Sequence, residues 1–385
     1  DDKFSLAYGD GSHVEGKDNL ALGNYSHAEG VETTAKGNLS HAEGYLTIAN
    51  VDYSHAEGQG SIAEGPNSHA EGFYTNTKGL HSHAEGLWTS AEGGASHTEG
   101  QNTTAIGWDS HAEGVKTTAK GTGSHSEGES TDQANITKDD TIETVLEKWT
   151  DAKNKFSLAY GNGSHVEGKD NLALGNQSHA EGWETIAEKD YSHAEGFHTT
   201  AQGYYSHTEG ASTVAMGHGS HAEGFQTTAK EVYSHAEGES TTLADISKED
   251  KEIDIYNKWV DNQNFSLAYG KGSHVEGKDN LALGQYSHTE GNGTLAEGDN
   301  SHAEGHFTAA LGDNSHAEGY YAYASGNYSH AEGQSARAYG ENSHAEGFFT
   351  EAIEDNSHAE GYFSYAKGEN SHAEGNHTTA YGDNS

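Results

Sequence analysis

A Ser-His-x-Glu-Gly motif returns every fourteen residues along most of this chain, and that period limits the fold more than any other property. The motif occurs 23 times, in three blocks of unbroken fourteen-residue spacing: His13 to His125, His165 to His235 and His274 to His372. A looser half lies between motifs, as in TTAKG from Thr33, SIAEG from Ser61 and TVAMG from Thr213. Both halves share [ST]-x-A-x-G, offset by seven residues. A sustained short period implies stacked structural units in place of one condensed core. Each turn reads as two short strands joined by tight glycine corners, with turns stacking as parallel strands.

Composition alone would suggest disorder, since apolar residues make up only 31% of the 385 and the formal charge is −41. The strict repeat overrides that reading. Twenty basic residues against 61 acidic ones exclude a nucleic-acid partner, because phosphate binding needs the opposite balance. The absence of cysteine excludes a disulfide framework and thiolate metal sites. No apolar run is long enough to span a membrane, and the start lacks the pattern of a signal peptide. The opening FSLAYG matches two interior junctions, and the closing GDNS matches the start of GDNSHAEG at Gly312, so the sequence reads as a fragment of a longer fibre.

Strand alternation assigns the faces. Ser, Ala and Gly point into the roll, where only small side chains fit, and the two x positions point out. Such an interior buries little apolar surface, so stability must also come from outside one chain. In the second half the outward residues vary freely, as at Thr34/Lys36, Ile62/Glu64 and Val214/Met216. In the first half they are His and Glu in every copy. A face held uniform within one chain is meeting itself around an axis, which predicts a parallel homotrimer. The interface ladder then includes His13, Glu15, His27, Glu29, His41, Glu43, His55, Glu57, His69, Glu71, His83 and Glu85. It continues through His179, Glu181, His193, Glu195, His302, Glu304, His316 and Glu318. Pairing between His and Glu would raise the histidine pKa values and lower those of glutamate, predicting greatest stability at mildly acidic pH. It would also fix register, since a sideways slip unpairs the charges.

This frame resembles the head repeats of YadA-like trimeric autotransporter adhesins, where [NS]-S-V-A-I-G is followed by a second S-x-A-x-G half. SHAEG sits on that frame with His and Glu in the places of Val and Ile; SLAYG at Ser5 and NLALG at Asn19 are closer to the family pattern but fall in the second half. The resemblance implies an all-β, left-handed parallel β-roll that trimerises through those two positions. SHAEG-type repeats also resemble tail-fibre proteins of phages. Both resemblances imply an extracellular place, on a bacterial surface or a virion tail, and a structural, adhesive role toward a host surface protein or carbohydrate.

Two inserts interrupt the period. The steps from His125 to His165 and from His235 to His274 exceed one turn by 26 and 25 residues. The chain therefore divides into roll block 1 (1–130), insert 1 (131–155), block 2 (156–240), insert 2 (241–264) and block 3 (265–385). Both inserts enter in the variable half, which independently places that half outside. Each reads as one helix of about thirteen residues, opened by a capping box at Thr137–Asp140 or Ser247–Asp250. Ile142, Val145, Leu146 and Trp149 have helical spacing, as do Ile255, Tyr256, Trp259 and Val260. A lone helix this short needs a surface. The following outer strands offer Leu158, Tyr160, Leu172 and Leu174, then Leu267, Tyr269, Leu281 and Leu283.

The same positions admit other chemistry. Three histidines about an axis, with glutamate as oxygen ligand, could take Zn²⁺ or Ni²⁺, although ions in 23 adjacent layers would crowd one another. A metal-binding fibre is thus an alternative; no cofactor is expected and no residue is assigned as a metal ligand. Catalysis needs a unique pocket, which identical copies do not provide, so no catalytic residue is assigned and the chain is not expected to be an enzyme. A column of large residues follows the first-half glycine, including Tyr45, Phe73, Leu87, Trp183, Phe197, Phe225, Tyr320, Phe348 and Tyr362. It is read as packing between chains. Tyr321, Phe349 and Phe363, one place further on, are read as a candidate ligand surface. The Thr-Thr pairs do not make an outward ice-binding array, since one Thr of each pair points inward.

Overall fold

In the computed structural model, described for residues 4–150, 155–242, 244–261 and 264–385, the chain is a parallel β-solenoid with two short helices. It forms two compact units, Asp1–Glu195 and Gly196–Ser385. In the first unit, the first-half strand His69–Phe73 pairs in parallel with His83–Leu87, placing His on His, Ala on Ala and Glu on Glu. The second-half strands are only two residues long, Asn76–Thr77 pairing with Ser90–Ala91. The second unit repeats the arrangement, with His344–Phe348 on His358–Tyr362 and Glu351–Ala352 on Tyr365–Ala366.

The interior is a pair of alanine columns. Ala28, Ala35, Ala42 and Ala49 are fully buried in one unit, and Ala303, Ala310, Ala317 and Ala324 in the other. Some of the buried hydroxyls find carbonyls: Ser26 Oγ donates to Gly23 O at 2.7 Å, and Thr103 Oγ1 to Glu99 O at 3.1 Å. Asn19 Nδ2 donates to the carbonyls of Glu15 and Gly30 at 2.6 and 2.8 Å, while its Oδ1 accepts from Thr33 N at 2.9 Å. These polar groups are tolerated inside so thin a roll because each has a partner, whereas Thr33 Oγ1 and Thr47 Oγ1 have none within the chain. Along an outer corner, Asn24 Oδ1 accepts from Asp10 N and Asn38 Oδ1 from Asn24 N, at 2.9 and 3.0 Å, stitching each turn to the next.

The corners differ from the glycine corners expected. The residue before the inward Asn, Ser or Thr takes the left-handed conformation at corner after corner, as at Asp18, Tyr25, Glu32, Leu39, Leu46 and Tyr53 with φ between 56° and 60°. None of the non-glycine residues with positive φ, among the described residues, is Val, Ile or Thr. A branched Cβ collides with the backbone in that conformation, which explains the exclusion. The second-half glycines answer to stacking instead. A Cβ on Gly37, whose φ is ordinary, would lie 1.9 Å from Val51 O in the next turn.

The inserts carry helices α1 (Ile142–Thr150) and α2 (Glu252–Val260), nine residues each and so shorter than expected. The reason lies at their starts. Thr137 N donates to Asp140 Oδ2 at 2.6 Å and Asp140 N to Thr137 O at 3.3 Å, which closes a separate turn before the helix. Ser247 and Asp250 form the same turn. The cap of α1 is Thr141, whose N donates to Thr144 Oγ1 at 2.7 Å and whose Oγ1 accepts from Thr144 N at 3.4 Å. At α2, Lys251 N donates to Asp254 Oδ2 at 3.3 Å. Asp140 also receives Lys148 Nζ at 2.8 Å, and that ammonium with the Thr137 amide holds its carboxyl down to about 2.

Candidate functional site

The first-half strands set one histidine and one glutamate outward per turn, and parallel register stacks each on its counterpart. Imidazole rings of His27, His41, His55, His69 and His83 follow one another at 4.5–4.9 Å with planes within 6° of parallel. The column passes both inserts unbroken: His125 stacks on His165 at 5.0 Å, and His235 on His274 at 4.7 Å. A ring turns edge-on at His13 against His27, at 64°, and between His302 and His316, at 85°.

Within a turn the histidine faces its own glutamate. Nε2 to Oε2 is 3.8 Å for His27–Glu29, His55–Glu57 and His69–Glu71, and 3.9 Å for His41–Glu43. It is 3.7 Å for His179–Glu181, 3.9 Å for His193–Glu195 and 3.5 Å for His316–Glu318. His13–Glu15, at 4.0 Å, is the most open of these pairs, and His83 leans 3.6 Å to Glu71 of the preceding turn. Glu85 neighbours Glu71 in the carboxyl row, and His302 and Glu304 pair in strand register with His316 and Glu318. The His27 side chain is 35% exposed and Glu29 43%, so the face is half open in one chain. Yet Nε2 of His27, His41, His55 and His69 is shielded from solvent without a hydrogen-bond partner within the chain.

This stacking reverses the expected histidine titration. His41, His55, His69, His83 and His111 are shifted down, first by burial and next by the charge of the histidine in an adjoining turn. His288 is lowered to about 4 by the same causes. Glutamate attraction acts the other way and loses, because the carboxylate oxygen of the same turn stands 3.8–3.9 Å from Nε2 of His41, His55 and His69, beyond hydrogen-bond contact. The carboxyls split. Glu71 and Glu99 are raised to about 7 by hydrogen bonding to neighbouring glutamates, whereas Glu57 and Glu85 are lowered by the same bonds. Carboxylic acids and carboxylates thus alternate up this stretch, as like charges this close require. The fourteen-residue period itself carried that signal, since parallel register stacks like on like.

The column also gathers donor sets. One ligand atom each from His27, Glu29 and His41 lies within 4.8 Å of the others, and the set recurs at His41/Glu43/His55 and His55/Glu57/His69.

On the opposite face, α1 buries Val145 and Trp149 against Phe156, Leu158, Leu172 and Leu174, with Ile142, Leu146 and Tyr160 packed at the edge. Trp149 Nε1 donates to Phe156 O at 3.1 Å, and Lys155 Nζ lies 3.2 Å from its ring centre. In the second unit α2 buries Ile255 against Phe265, Leu267, Leu281 and Leu283, with Tyr256, Trp259 and Tyr269 alongside. Val260, expected on that face, is 53% exposed: it is the last residue of α2 and lies outside the cluster that Ile255 and Trp259 join. Phe156 and Phe265 were not singled out in the sequence, although the latter is fully buried.

Tyr45, Trp183, Phe197, Phe225, Tyr320 and Tyr362 are exposed in one chain, while Phe73, Leu87 and Phe348 are half-buried. Tyr321, Phe349 and Phe363 occupy left-handed corners. Tyr321 stacks on Phe307 at 5.3 Å and Phe349 on Phe363 at 5.2 Å. No helix among the described residues is long and apolar enough to cross a membrane.

Residues 93–129, 194–229, 303–329 and 359–385 match the YadA head domain repeat. Among curated proteins none matches the chain. In those four stretches the chain carries YadA-like head repeats, and their parallel β-solenoid fits an adhesin-like, fibrous structural protein.

Proposed function

We propose that the chain forms a rod segment of an extracellular fibre, on a bacterial surface or a virion tail, and assembles as a parallel homotrimer through its His/Glu face. The observation that carries this is the shielded Nε2 of His27, His41, His55 and His69, which makes no hydrogen bond within the chain. A buried polar atom without a partner is costly, and a symmetry-related copy would supply one in every turn at once. The exposed aromatic column next to that face, including Tyr45, Trp183 and Phe225, would be covered by the same contact. The role is structural and adhesive and involves no catalysis. Tyr321, Phe349 and Phe363 offer flat rings to a host carbohydrate or protein. Light scattering tests the assembly: three times the 40.8 kDa of one chain is expected, and a monomer would overturn it. Loss of glycan-array or receptor binding in Tyr321→Ala with Phe349→Ala would support the ligand surface; unchanged binding would remove it.

A second reading rests on the His27/Glu29/His41 type of donor set. Two imidazole nitrogens and a carboxylate oxygen suit Zn²⁺ or Ni²⁺. Elemental analysis before and after chelation, in wild type and in His41→Gln with His55→Gln, decides whether the fibre binds such ions.

A further inference from the structure

One twenty-residue module occurs three times, from Phe4, Phe156 and Phe265, and differs only at Asp10, Asn162 and Lys271. In the second and third copies a helix covers it. Leu158, Leu172 and Leu174 are at most 1% exposed under α1, and Leu267, Leu281 and Leu283 at most 3% under α2. Each copy also has a polar hook. Asp170 accepts from Thr131 N and Oγ1, both at 2.6 Å, where the chain enters insert 1; Asp279 holds Thr241 in the same way at 2.6 and 2.5 Å.

The first copy has the same residues, and no helix among the described residues covers it. Phe4 is 62% exposed, against 2% and 0% for Phe156 and Phe265. Leu6 is exposed and Leu20 and Leu22 are half-buried, and Phe4, Asp18, Leu20 and Glu32 line an open hollow of about 300 Å³. Asp18 and Leu20 are the counterparts of the Asp170 hook and of Leu172 beneath α1. We infer that the face of Phe4, Leu6, Leu20 and Leu22 is a docking site for a short amphipathic helix of the α1 type, with Asp18 anchoring a threonine ahead of that helix. Two identical faces on the same chain specify the partner's chemistry: apolar residues at Ile142, Val145, Leu146 and Trp149 spacing, preceded by a Thr matching Thr131. The face lies on the variable half of the turn, away from the His/Glu column through which the proposed trimer assembles.

A synthetic peptide of residues 131–150, added to the full chain, tests this. Hydrogen exchange would be read at Leu20 and Leu22, whose amides donate to Thr33 O and Ala35 O. Saturable slowing is expected, about tenfold when the peptide is at ten times its Kd. A Trp149→Ala peptide should lose the effect without touching the protein's own folding, and so should the wild-type peptide on a Leu20→Glu chain. No slowing at millimolar peptide, or equal slowing by the Trp149→Ala peptide, would overturn the site. So would a change in oligomer mass in Leu20→Glu with no peptide effect, which would assign the face to a second copy.

Discussion

Gly86 and Gly123 are the same residue under two different demands. Gly86 has φ +102°, and a Cβ there would lie 2.2 Å from Gly100 O; Gly123 has φ +63° with nothing within 4 Å of an added Cβ. Gly86→Ala is therefore expected to cost about 2–3 kcal/mol or more, since both conformation and stacking fail. Gly123→Asn should stay within about 0.5 kcal/mol, because asparagine tolerates the left-handed region. Thermal melts followed by circular dichroism would rank the two; the reverse order would break the account of the corners. Leu39, at a left-handed corner with φ 56°, makes a sharper case. Leu39→Ile should cost about 1–2 kcal/mol while Leu39→Asn costs little, although the first is the more conservative change. The inward Ser26 and Ala28 were legible from alternation alone. The corners were not, because Tyr25, Glu32 and Leu39 share no chemistry; only the missing branched residues mark them.

At the scale of the element, the two helices stand on their apolar contacts. Each has nine residues, too few to hold together alone in water. Trp149→Ala removes the largest buried side chain of α1 and its bond to Phe156 O, and should cost about 3–5 kcal/mol locally. Faster hydrogen exchange in α1 and at Leu158 would show it, with the histidine-bearing strands unaffected. Val260→Ala, at an exposed position, should change neither. The apolar spacing that revealed Ile142, Val145 and Trp149 was plain in the sequence. The true caps were hidden because Thr137 and Asp140 satisfy the same pattern one turn too early. Phe156 and Phe265 escaped notice because the same FSLAYG opens the chain at Phe4, where that residue is exposed.

For the whole molecule, the histidine column governs pH dependence. A histidine lowered on folding prefers its neutral form, so its contribution is complete above the ordinary value of 6.5 and is lost as pH falls through the folded value, about 4 at His288. Glu71 and Glu99, raised to about 7, oppose this: their contribution is complete below 4.5 and is lost as pH rises through 7. More histidines than glutamates are shifted this way, so Tm should fall between pH 6.5 and 4. A Tm higher at pH 5 than at pH 8 would contradict the stacked column. The sequence located this face, because His and Glu never vary there. It misled on the sign of the histidine shift, because pairing with glutamate was considered and stacking on the next histidine was not.

The passage of the column across both interruptions has one more consequence. His125 meets His165, and His235 meets His274, as though the intervening residues were absent. Distance along the chain is thus uncoupled from distance along the stack at these two points. Lengthening such a loop is penalised only logarithmically, about 0.6 kcal/mol per doubling. Foreign segments grafted between Thr131 and Phe156, or between Thr241 and Phe265, should ride on the solenoid as cargo while the turns beneath keep their count.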